Sequence, residues 1–235
     1  MRWRDAIGEA LDLALPVTCG GCARPGTAWC RVCASDVAGG WEGPARQVWP
    51  SPTPAGFPPT WAAARYEGPL RHALSAYKDD ARRDLARPLA DLLAAAVTAA
   101  YPADARATVL LVPVPTTAQA RRRRGDAPLE TLARRTASRL PRGVAVRLDS
   151  GALTVRRRLA DQSGLTTRAR AANLEGAFTA PDRVAGCPVI VVDDVVTTGA
   201  TLVEAARALH AAGVPVVAAA CIAATTRRGR PAPAA

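Results

Sequence analysis

Val189-Ile190-Val191-Val192-Asp193-Asp194-Val195-Val196-Thr197-Thr198-Gly199-Ala200-Thr201 is the stretch on which the reading of this chain turns. Four β-branched residues in a row, Val189 to Val192, predict a buried parallel strand. Ligands of open α/β sheets bind at the carboxyl ends of such strands, and two acids stand at this one. Carboxylates there can accept hydrogen bonds from vicinal hydroxyls or hold the water shell of a divalent cation. The next residues run into a predicted helix from about Ala200 to Ala212, whose first amides and dipole favour an anion. Thr197, Thr198 and Thr201 add hydroxyl donors, and Gly199 permits close backbone approach. A diol and a phosphate one sugar-length apart satisfy both halves, so the stretch is read as a ribose 5-phosphate site. Taken piecewise, the same residues also read as a buried strand, a surface turn and a capped helix.

Outward from this loop, Gly213 stops the helix and Val214 to Ile222 forms the next strand, completing a strand-helix-strand unit. Upstream, strands are expected at Ala62 to Tyr66, Val109 to Val112 and Val144 to Leu148. Helices are expected at Pro69 to Tyr77, Leu85 to Tyr101 and Leu129 to Leu140. This alternation predicts an α/β domain over residues 61–224, a parallel sheet flanked by helices. Residues 150–175 are polar, arginine-rich and aperiodic, as a mobile loop would be. Residues 39–60 hold six prolines and four glycines and read as a linker or an irregular loop, with Trp41 and Trp49 packing across the domain boundary. The tail 225–235 is basic, proline-containing and expected to be disordered.

The N-terminal residues 1–38 form a separate module. Trp3, Ile7, Ala10, Leu11 and Ala14 have helical spacing and end before Pro16. Cys19-Gly20-Gly21-Cys22 and Cys30-Arg31-Val32-Cys33 then make two Cys-x-x-Cys knuckles seven residues apart. Two knuckles supply the four thiolates of a closed structural metal site, zinc first and iron as the alternative. Gly20 and Gly21 let the backbone turn tightly there and aim amides at sulfur. Two disulfides or a dithiol redox centre are the competing readings; a reducing compartment disfavours the first and the doubled knuckle the second. Cys187 and Cys221 stand alone among apolar residues and read as core.

The chain has 235 residues and a net charge of +11, and Lys78 is its only lysine. Such charge suits nucleic acid or a polyanionic small molecule, but equally arginines on solvated faces. Aromatic residues are only 4% of the chain, which excludes a base-stacking platform. No apolar run is long enough for a membrane span and the N-terminus lacks a secretory core, so a soluble, cytoplasmic protein is expected. His72 and His210 fall on predicted helices and read as structural.

The stretch from Val189 to Thr201 resembles the phosphoribosyl-pyrophosphate signature of type I phosphoribosyltransferases. The resemblance implies that Asp193 and Asp194 contact the ribose 2- and 3-hydroxyls and that Thr197, Thr198, Gly199, Ala200 and Thr201 hold the 5-phosphate. Val109-Leu110-Leu111-Val112-Pro113-Val114-Pro115-Thr116-Thr117 resembles the strand that carries the pyrophosphate loop in amidophosphoribosyltransferases. Pro113, Val114, Pro115, Thr116 and Thr117 would then face pyrophosphate, with Arg121 to Arg124 adding charge. Asp161 to Phe178, including Arg168 and Arg170 as substrate contacts, resembles the flexible loop that closes over the site. With the four cysteines, Tyr66-x-Gly68, Arg124-Gly125, Gln162, Arg168 and Asn173, nearly the whole chain is similar to the competence-associated ComF family. Asp126-Ala127-Pro128 departs from it, standing where the family has an aromatic residue, Asn and Gln. No glutaminase domain is visible.

The implied fold is a type I phosphoribosyltransferase-like parallel sheet with a small N-terminal four-Cys zinc module. The implied activity is binding of phosphoribosyl pyrophosphate with Mg²⁺ and phosphoribosyl transfer to an unknown acceptor. The alternative is a non-catalytic protein of DNA uptake, binding single-stranded DNA or a helicase partner of the competence machinery.

Overall fold

Continuous apolar runs bury on both faces when helices cover both sides of a sheet, and here they do. The computed structural model describes residues 17–105, 107–116, 127–156, 174–182 and 186–225. Helix α1 (Arg31–Gly39) leaves the second cysteine knuckle, with the Cys30 side chain at its N-cap accepting from the Cys33 amide. Strand β1 (Arg46–Gln47) pairs antiparallel with β2 (Thr60–Arg65). Helices α2 (Gly68–Asp79) and α3 (Ala86–Ala100) follow. Then come β3 (Val109–Pro113), α4 (Pro128–Ala137) and β4 (Val146–Leu148). The hairpin of β5 (Thr154–Val155) and β6 (Phe178–Thr179) stands apart from the main sheet. The chain returns through β7 (Val189–Val196), α5 (Ala200–Ala211) and β8 (Val216–Ala224).

The six-stranded sheet has the order β1-β2-β8-β7-β3-β4. Neighbours from β2 to β4 are parallel, and only the two-residue edge strand β1 runs against them. Leu70, Leu74, Leu89, Leu93 and Leu132 from α2, α3 and α4 pack on one face, against Leu111, Ile190, Val192 and Ile222. Leu202, Ala205 and Leu209 of α5 cover the other face, against Leu110, Val112, Val191 and Ala219. Successive strand residues point to opposite faces, so the unbroken runs in β3 and β7 feed both cores at once. The expected parallel α/β sheet flanked by helices is present.

Two features differ from the sequence reading. Strand β7 does not stop at Val192 but continues to Val196, because β8 reaches Ala224 and offers partners to the added residues. Residues 39–60 are not a free linker: they supply β1, and Trp41 and Val48 are buried in the second core. Their prolines mask periodicity, and a two-residue strand has none to show. Arg46 covers the Trp41 ring at 5.6 Å, while Trp49 stays 42% exposed. Gly20 and Gly21, besides aiming the Gly21 amide at the Cys19 sulfur as expected, answer a need for space. A Cβ on Gly20 would lie 2.6 Å from Leu85, and one on Gly21 would lie 2.7 Å from Pro69 and 2.9 Å from the Cys33 sulfur. The expected helix at residues 3–14 and the tail beyond Thr225 lie outside the described residues. Among the described residues no helix is long and apolar enough to cross a membrane.

Candidate functional site

The acid pair is held by the sheet itself. Asp193 stands opposite Cys221 in the β7–β8 ladder, and the Asp194 amide donates to Asp193 Oδ1 at 2.8 Å. Both carboxylates are partly buried near the C-terminal end of β7. Burial raises the Asp193 carboxyl from 3.8 to about 6, against the opposing pull of the Lys78 ammonium. An acid in this state is costly to ionise alone and ready for a cation or a hydroxyl donor. The Asp194 Oδ2 pairs with Lys78 Nζ at the end of α2, so the same ammonium acts on both acids. Motif reading did not place Lys78 beside the acid pair, and its only signal in the sequence is that it is the single lysine.

The loop Thr197–Thr198–Gly199 links the strand to α5. Gly199 is the N-cap of α5 with φ +78°, a left-handed conformation that suits glycine, and its carbonyl accepts from the Val203 amide at 3.0 Å. The Thr198 hydroxyl accepts from the Ala200 amide at 3.4 Å. Thr225 ties the loop down, its amide donating to the Val196 carbonyl at 3.0 Å. Gly199 has a second constraint, since a Cβ there would lie 2.7 Å from the Phe57 ring and 3.1 Å from Pro50. Pro50 and Phe57, from the segment before β2, therefore buttress the glycine-threonine loop. Thr197 is exposed and Thr198, Ala200 and Thr201 are half-buried, so the loop is reachable from solvent.

Parallel pairing brings the second predicted loop alongside. Pro113 stands opposite Val192, and the Val114 amide donates to the Val192 carbonyl at 2.9 Å. Pro113 and Val114 are buried and anchor the turn, leaving Pro115 and Thr116 half-buried at its start. A cavity of about 330 Å³ opens there, lined among others by Pro115, Thr116, Glu130, Ser150 and Thr154. Thr117, Arg121 to Arg124, Arg168 and Arg170 lie outside the described residues.

The four cysteines converge, with Cys19, Cys22, Cys30 and Cys33 sulfurs all within 4.8 Å of one another. The Cys19–Cys33 and Cys22–Cys30 separations are both 3.7 Å. A tetrahedron of sulfurs at ~2.3 Å from a central ion has edges of about 3.8 Å, so the cluster has the size of a tetrahedral thiolate site that could hold zinc. Burial would push the Cys19 thiol up, but amides of Cys30, Cys22 and Gly21 outweigh it and bring it down to about 6. Cys30 is lowered as well, chiefly by the Cys33 amide. The cluster is docked on the domain. His72 Nδ1 lies 3.1 Å from the Gly21 carbonyl, and Arg82 donates to the Thr18 carbonyl at 2.6 Å. Of the lone cysteines, Cys221 is buried core beneath Asp193 and Cys187 is half-buried.

A parallel sheet whose central strand ends in paired acids and a glycine-threonine loop, beside a second loop on the neighbouring strand, is the architecture of a phosphoribosyltransferase-type domain. Comparison with known proteins agrees: the phosphoribosyl transferase domain family matches residues 99–233. The DNA utilization protein YhgH of Escherichia coli O6:H1 (strain CFT073) is 34% identical over 174 residues, covering 70% of this chain and 73% of that protein. Its counterparts from E. coli K12 and Salmonella typhimurium LT2 are 33% and 34% identical over the same shares. The chain belongs to the phosphoribosyl transferase domain family and, with its four-Cys cluster, is a ComF-like member of it.

Proposed function

We propose that this chain binds phosphoribosyl pyrophosphate with Mg²⁺ across the ends of β7 and β3 and transfers its phosphoribosyl group to an acceptor. The observation that carries the reading is the parallel β3–β7 pairing, which sets the turn after Pro113 beside the acid pair and the anion loop. Asp193 and Asp194 would hold the ribose diol, and the loop from Thr197 to Thr201 the 5-phosphate. The turn at Pro115 and Thr116 would face the diphosphate. Bound Mg²⁺ would supply charge neutralisation to the departing diphosphate. The chain's own part is positioning and fixed dipoles, which favour cleavage of the C1–O bond through an oxocarbenium-like state. Zinc in the four-Cys cluster would be structural, since four thiolates leave no position for substrate. Calorimetry with phosphoribosyl pyrophosphate and Mg²⁺ tests the site: wild type binds and Asp193→Ala does not, whereas no binding by wild type removes the reading. Pyrophosphate release against a panel of bases and amines then tests transfer.

A second reading is favoured by the relatives named DNA utilization protein and by the +11 charge. On it the domain is a binding module of the DNA-uptake machinery. Single-stranded DNA binding that weakens with salt and on neutralising Arg121 to Arg124, with no pyrophosphate release from any acceptor, would establish it over transfer.

A further inference from the structure

Helix α2 does not run back along the sheet as a crossover helix would. It starts beside the end of β2 and finishes at the end of β7, so it lies along the edge where the candidate site opens. Its last turn is fixed on both sides. Buried Tyr77 donates from its hydroxyl to the Pro128 carbonyl at 3.1 Å, at the start of α4. The next residue, Lys78, has its ammonium on Asp194. Arg83 stacks on the Tyr77 ring at 4.9 Å and donates to the Tyr77 carbonyl. At its other end α2 is held by the four-Cys module, through His72 at the Gly21 carbonyl and Pro69 against Gly21. A flexible side chain on a rigidly held turn thus sets one ammonium on the acid pair.

We propose that Lys78 is a substrate-site cation that binds the diphosphate of the bound sugar, exchanging its pairing with Asp194 for the anion. This rests on the reading of the site given above. In a 5-phosphoribosyl 1-diphosphate the diphosphate leaves the carbon next to the 2-hydroxyl. With Asp194 on the 2-hydroxyl, the cation resting on it is one carbon from the diphosphate. The Lys78 side chain is 35% exposed, so it can turn toward an incoming anion, while Asp194 is released to the diol or to hydrated Mg²⁺. A lysine suits this exchange better than arginine, because a compact ammonium on four methylenes changes partner without breaking a bidentate fork. That accounts for one lysine in a chain that elsewhere uses arginine.

The test compares two ligands on the metal-loaded full chain: phosphoribosyl pyrophosphate with Mg²⁺, and ribose 5-phosphate, which lacks the diphosphate. Lys78→Met should weaken the first by about 10- to 100-fold, the worth of a hydrogen bond to a charged group, and the second by less than about threefold. Lys78→Arg should recover most of the loss. Equal weakening of both ligands would show that Lys78 only holds Asp194 in place and would overturn the proposal, as would unchanged affinity for the diphosphate. Wild type binding neither ligand removes the proposed function and this proposal with it. A second measurement needs no variant, because the chain has a single lysine. Acylation of Lys78 by an amine-reactive ester, followed by mass spectrometry against the N-terminal amine, should be suppressed by phosphoribosyl pyrophosphate and not by ribose 5-phosphate. Equal labelling with either ligand overturns the assignment.

Discussion

Replacing Asp193 by Asn should make the protein more stable and less able to bind. Burial lifts the Asp193 carboxyl from its ordinary 3.8 to about 6, so the folded protein prefers this group neutral. The sign follows from proton linkage. Between these two values the folded state keeps a proton that the unfolded chain has lost, so stability falls as pH rises, and above the folded value the full penalty is in force. The size of the penalty at about pH 8 is up to about 3 kcal/mol, shrinking to about 1 kcal/mol at about pH 4.5. Asparagine is neutral at both and escapes it. Urea unfolding followed by circular dichroism should therefore show Asp193→Asn gaining stability over wild type at the higher pH, with most of the gain gone at the lower one. Calorimetry on the same variant should show loss of phosphoribosyl pyrophosphate binding. A variant that is less stable than wild type at the higher pH, or whose gain does not depend on pH, would refute the claim that burial destabilises this carboxylate. Stability held back by a site residue is a common trade for function.

Gly199→Ala meets both a positive φ and the Phe57 ring, so it should lower the melting midpoint by the equivalent of about 1–3 kcal/mol and abolish binding at the anion loop together. Phe57→Ala removes the buttress but not the backbone conformation; ligand affinity should drop while Asp193 and Asp194 stay intact, as calorimetry would show. Glu204, only 4% exposed, accepts from the Phe178 amide at 3.0 Å and pairs with Arg207. Glu204→Ala leaves that amide unsatisfied and should cost about 1–3 kcal/mol in chemical denaturation. Since its partners hold the Glu204 carboxyl below its ordinary range, its contribution should be lost as pH falls through the acidic range and be present at neutral pH. Purified protein should contain one metal ion per chain, and its removal by a strong chelator should lower the melting temperature and loosen α2 as read by hydrogen exchange at residues 68–79.

The parallel sheet was legible because its central strands are continuous apolar runs and its helices amphipathic, patterns that depend on short-range spacing alone. The four-Cys cluster was legible for the same reason, since two Cys-x-x-Cys knuckles place their own sulfurs. The acid pair and the glycine-threonine loop could also be read locally, as a strand end meeting a helix start. What failed was whatever depended on a partner distant in sequence. Strand β7 ran on past Val192 because β8 offers it a ladder as far as Ala224. The segment 39–60 looked like a linker because nothing in its composition records that Trp41 fills the second core or that Phe57 and Pro50 sit against Gly199.

Lys78 marks the limit most sharply. The sequence by itself determined that one lysine stood among thirty arginines and that two acids stood at a strand end more than a hundred residues later. Only the tertiary structure decided that they meet. Helix α2 is laid along the sheet edge by contacts with the four-Cys module at one end and with Pro128 at the other. Neither contact leaves a periodic trace in the chain, because each is made by single residues whose partners lie about fifty positions away. Local spacing sets what an element is; the direction in which it packs is set by such long-range contacts, and here the direction carries the charge to the site.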